Sequence, residues 1–149
     1  MHSLRILRHV VVHNPVVGPR LSLMAGLDVF IGDASTPALR MTEGLWWYLD
    51  ALGFPQFASE TGIAIPFDAP TAFDAEFLLA FFLSLEPVVG DLRNSTAEYV
   101  TEVGLDDTQS QITAFQTPRK DAVRDIDALM TAANDAYNDG ACLKFKPAG

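Results

Sequence analysis

One cysteine, Cys142, stands in 149 residues, which excludes an internal disulfide framework and any multi-cysteine zinc or iron–sulfur site. Basic residues are also scarce: 10 Lys+Arg face 19 Asp+Glu, for a net charge of −9. Nucleic-acid binding draws on a clustered basic surface that neutralises phosphates, and four scattered arginines in residues 1–40 do not make one. The same scarcity argues against an anionic membrane surface. No apolar run reaches the ~18 residues that a membrane span requires. Residues 1–12 lack a long apolar segment followed by a small-residue cleavage site, so no export signal is expected. There is no Gly-x-Ser-x-Gly elbow, phosphate-cradling glycine loop or dinucleotide fingerprint, and no cofactor is expected.

What the chain does have is apolar mass. Hydrophobic residues make up 49% and charged residues 19%, and mean hydropathy is +0.18. Those fractions exclude a disordered or low-complexity chain. They also leave more apolar surface than a small acidic protein ordinarily covers by itself. The charge is unevenly spread. Residues 1–40 carry a net +2, residues 41–117 set Arg93 alone against twelve acids, and residues 118–149 balance. Such a division suits head-to-tail association between copies.

Alternation of Leu4, Ile6, Val10 and Val12 predicts a first strand, and Leu21–Ile31 a second, broken at Gly26. The two read as a hairpin with a long loop, or the first as an arm added to a neighbour's sheet, so that residues 1–19 form an extended arm or edge strand. Ser35-Thr36-Pro37 predicts a helix start, followed by Met41, Leu45, Tyr48 and Leu52 at helical spacing and stopped at Gly53 and Pro55. Residues 54–71, punctuated by prolines and Gly62, read as a long loop. A second helix runs through Phe77, Leu78, Phe81, Phe82 and Leu85 to Pro87, apolar around its whole circumference. Strands follow at 95–103 and 110–116. Thr117-Pro118 opens a helix with a Val123, Ile126, Met130, Ala133 and Tyr137 stripe, ending at Gly140, and Cys142–Phe145 closes the chain as a strand. The sum is an α+β fold: one domain over residues 1–149, about three helices packed on a small, mostly antiparallel sheet.

Chemistry-bearing clusters are few. His9 and His13 flank a strand sequence, which places them some 13 Å apart, too far for one metal ion. Asp68, Asp74 and Glu76 gather at the entry to the second helix, where the helix dipole favours acids. Asp106-Asp107 form another acidic pair, and Cys142 lies beside Lys144 and Lys146. None makes a catalytic or metal set by its pattern.

Trp46, Trp47 and Tyr48 point in three directions on a helix, so they cannot form one flat platform; with Phe77, Phe81 and Phe82 they read as interface anchors. Arg5 and Arg8 join them as charges on the amino-terminal segment. The expectation is a non-enzymatic assembly subunit of a larger particle, such as a virion or phage component, with other protein subunits, copies of itself among them, as partners. Two other readings remain open: a small enzyme or ligand-binding domain with its pocket under residues 54–71, using Asp68, Asp74 or His13, and an acidic inhibitor that mimics nucleic acid.

Overall fold

The structure, a computed structural model, describes residues 5–9, 26–105 and 112–148. Among the described residues, seven strands form two antiparallel sheets. The larger has the order β3-β2-β7-β4, from Gly26–Ile31 (β2), Leu39–Thr42 (β3), Thr71–Phe73 (β4) and Leu143–Pro147 (β7). The smaller is β1-β5-β6, from Arg5–His9 (β1), Tyr99–Leu105 (β5) and Ile112–Pro118 (β6). Four α-helices in the same described residues pack with them: Glu43–Leu52 (α1), Phe54–Thr61 (α2), Leu78–Asn94 (α3), preceded by a single 3-10 turn at Ala75–Phe77, and Arg119–Asp139 (α4). The fold class is α+β, as the sequence pattern indicates, with one helix more than expected and the strands divided between two sheets.

Period-two alternation builds the larger sheet. Leu27 and Val29 of β2, Met41 of β3, Phe73 of β4, and Leu143 and Phe145 of β7 are buried on one face, while Asp28, Phe30, Arg40, Lys144 and Lys146 take the other. Against the buried face lies α4, and α3, packed on α4, reaches it through Phe81. Phe57, Phe73, Phe81 and Phe145 meet there with ring centroids 4.9–6.2 Å apart, the offset and edge-on arrangements that aromatic quadrupoles prefer. Helix α1 packs across the smaller sheet and touches β2 and β3, so it ties the two sheets together.

Local expectations fail at five places. The first helix does not start at Ser35. Residues 39–42 extend as β3, and Thr42 provides the cap, its Oγ1 accepting from the Leu45 amide at 3.2 Å. Residues 54–71 are not one loop: α2 occupies the first eight, because Pro55 sits in a first helical turn that needs no proline N–H. Pro87 does not end α3, which runs seven residues further to Asn94. Pro87 is exposed, so water can reach the backbone carbonyl that its missing N–H leaves unbonded.

The fourth is the amino-terminal segment. Strand β1 is an edge strand of the smaller sheet, as one of the expectations had it, but it pairs antiparallel with β5 of its own chain rather than with β2, Arg5 opposite Leu105. On α4 the buried stripe is rotated from the expected one. It consists of Ala122, Ile126, Leu129, Ala132, Ala133 and Ala136, while Tyr137 is exposed. Gly140 ends this helix with φ +63°, a left-handed cap suited to glycine.

Candidate interaction surface

Helix α3 is buried on one side only. Leu78, Phe81, Ser84, Leu85, Val88 and Leu92 face the core, whereas Leu79 and Leu83 are 58% and 62% exposed. The helix is therefore not central in the core: its own chain covers one side of the apolar run and leaves the other uncovered. Positions 79 and 83 lie about 200° around the helix from Phe81, so they point away from the sheet. Glu86 follows Leu83 on the same outer stripe and Glu76 precedes Leu79; both are exposed. Beside this stripe Phe82, half-buried, meets the exposed Tyr137 of α4 edge-on, with centroids 6.3 Å apart. Five large apolar side chains stand exposed among the described residues, and three of them, Leu79, Leu83 and Tyr137, lie on α3 and α4.

The other anchors expected from sequence sort differently. Trp46, Trp47, Tyr48 and Phe81 are core residues, none more than 7% exposed, so they are not available as surface anchors in this chain. The Trp46 ring packs 5.5 Å from Phe67 and donates its indole N–H to the Ile65 carbonyl. Phe77 is half-buried against the core beside Phe82. Arg5 and Arg8 lie on β1, but their side chains fall outside the described residues, as do His9's side chain, His13, Asp106 and Asp107.

Sequence reasoning passed over Glu43. It is buried at 6% exposure in the first turn of α1, where the helix dipole favours a carboxylate, and its Oε2 accepts from the Trp47 indole N–H at 3.4 Å. The signal was the i, i+4 spacing of an acid and a tryptophan on a helix.

The loop of the pocket reading is shortened to residues 62–70, since α2 fills residues 54–61, and Asp68 and Asp74 are exposed. Cys142 is half-buried ahead of β7. Among the described residues no group of three His, Cys, Asp or Glu side chains is placed to hold a metal ion, and no helix is long and apolar enough to cross a membrane.

A second surface lies on the opposite side of the molecule. On the outer face of the larger sheet, Arg40, Asp28 and Lys146 sit in one row across β3, β2 and β7, with Phe30 and Lys144 paired in the next. Arg40 Nε donates to Asp28 Oδ1 at 2.7 Å, and this hydrogen bond raises the guanidinium pKa above its ordinary value. Lys146 Nζ stands 5.3 Å over the Phe30 ring. Lys144 Nζ lies 3.7 Å from Asp33 in the turn after β2.

No protein-family model, curated protein or solved structure matches this chain.

Proposed function

We propose that this protein is a non-enzymatic assembly subunit, which works by binding other subunits, including copies of itself, through the outer face of α3. The observation that carries this reading is the exposure of Leu79 and Leu83, one turn apart and bordered by Phe82 and Tyr137. Large apolar groups gathered on one face mark contact surfaces more often than scattered ones do. Burying them would move that area out of water at about 25 cal/mol per Å².

Light scattering over a range of protein concentrations tests the proposal. The expected result is a mass that rises above 16.2 kDa with concentration for the wild type and stays at that value for Leu79→Asp/Leu83→Asp. A wild-type chain that remains at 16.2 kDa throughout overturns self-assembly.

A further inference from the structure

The two surfaces differ in charge and point in opposite directions. The outer face of the larger sheet presents Arg40, Lys144 and Lys146 against Asp28, with Asp33 reaching Lys144 from the neighbouring turn. That is a net positive surface on a chain of net charge −9. The α3 stripe presents Leu79 and Leu83 between Glu76 and Glu86. Helix α4 and the Phe81 side of α3 cover the sheet's inner face, so the two outer surfaces lie on opposite sides of a sheet-and-helix layer.

Resting on the assembly reading above, we infer that copies join head to tail, the sheet face of one receiving the α3 stripe of the next. A two-fold contact through α3 would bring the acids of two copies together. A two-fold contact through the sheet would do the same with the lysines. The heterologous contact instead sets Glu76 and Glu86 against Arg40, Lys144 and Lys146. The dimensions agree. Glu76, in the single 3-10 turn Ala75–Phe77 that leads into α3, and Glu86 of α3 stand about 16 Å apart along the helix axis. Arg40 and Lys144 lie two strands and two residues apart, about 12 Å on the diagonal, within reach of long side chains. Phe30 and Ala72 supply apolar surface next to those cations for Leu79 and Leu83.

The patch is small. Four strands of about five residues cover roughly 320 Å² in projection, below the ~800 Å² per partner of a standard specific interface. Each contact is therefore weak, and it loses strength as salt shortens the screening length from ~10 Å at about 0.1 M to ~3 Å at about 1 M. Because the two surfaces are different, repetition yields a ring or an open filament rather than a closed pair.

Complementation between blocked variants tests this. Lys144→Glu/Lys146→Glu blocks the sheet face and Leu79→Asp/Leu83→Asp blocks the helix face. Each alone is expected to remain at 16.2 kDa where the wild type assembles. An equimolar mixture is expected to form a complex of two copies and nothing larger, since one intact face of each kind remains. A control, Lys120→Glu/Arg124→Glu, makes the same change of charge on exposed positions of α4 and is expected to assemble like the wild type.

If the sheet variant assembles normally, the head-to-tail contact is wrong while the assembly reading stands. A wild type that never assembles removes both. Disruption by the control as strong as by the sheet variant assigns the effect to net charge and overturns the inference. So does binding of a thymidine oligonucleotide of about 15 residues that is lost in Lys144→Glu/Lys146→Glu, which would give the sheet face to single-stranded nucleic acid.

Discussion

The indole N–H of Trp46 donates to the main-chain carbonyl of Ile65 at 2.9 Å, both residues buried, across nineteen positions of sequence. This bond fastens α1 to the segment that follows α2. Trp46→Phe keeps an aromatic ring but removes the donor, leaving a buried carbonyl unsatisfied. Stability should fall by about 2 kcal/mol, read as a lower midpoint in urea with an unchanged slope. A midpoint within error of the wild type would show that water takes the donor's place.

The two sides of α3 should respond in opposite ways. Phe81 is fully buried among Phe57, Phe73 and Phe145, and its replacement by alanine should cost about 3–5 kcal/mol. Leu83→Ala, at a position 62% exposed, should leave the monomer within about 0.5 kcal/mol of the wild type while weakening association. Equal losses of monomer stability would contradict the helix orientation.

Gly53 stands where α1 turns into α2, and a Cβ there would come within 2.5 Å of the Leu85 side chain. Leu85 is fully buried and cannot swing outward, so Gly53→Ala should destabilise by about 1–3 kcal/mol. Adding Leu85→Val, which shortens the opposing side chain, should recover part of the loss, a coupling that a double-mutant cycle detects. Gly140→Ala provides the contrast: nothing lies within 4 Å, and the left-handed φ of +63° alone should cost about 1 kcal/mol.

Pro87 lies inside α3, and alanine there would restore a backbone donor in the helix interior. Pro87→Ala should raise the thermal midpoint by several degrees, the gain being reduced by the freer unfolded chain. A lower midpoint would mean that the proline's geometry is required for packing.

Much of this architecture could be read along the chain. The strands expected at 95–103 and 110–116 form a few residues later, at 99–105 and 112–118, and α4 runs to its expected stop at Gly140. Where the reading went astray, tertiary position overrode a local sign. Thr36-Pro37 resembles a helix start, yet the cap that forms is Thr42, six residues on. Pro55 resembles a helix stop, yet it occupies a permitted position in the first turn of α2. The rotated stripe on α4 is made largely of alanines, whose small side chains allow close approach but add little to a hydropathy pattern.

The candidate surfaces were less legible than the fold. Seven apolar residues in succession, Phe77–Leu83, hide which side of α3 faces water, because that is decided by the sheet and α4. Counting charge by segment placed the positive end at residues 1–40. The positive face described above instead joins Arg40 to Lys144 and Lys146, residues about a hundred positions apart that meet only because β2 runs between β3 and β7.

That placement of β7 also governs the order of events during synthesis. Strand β2 pairs on one edge with β3, which follows closely, and on the other with a strand more than 110 residues downstream, Ile31 opposite Leu143. While the ribosome is still adding α4, β2 has an open edge and β4 has no strand beside it. The larger sheet therefore closes late, after a long loop has paid its entropy, so the nascent chain is exposed to edge-to-edge mispairing for most of its time on the ribosome.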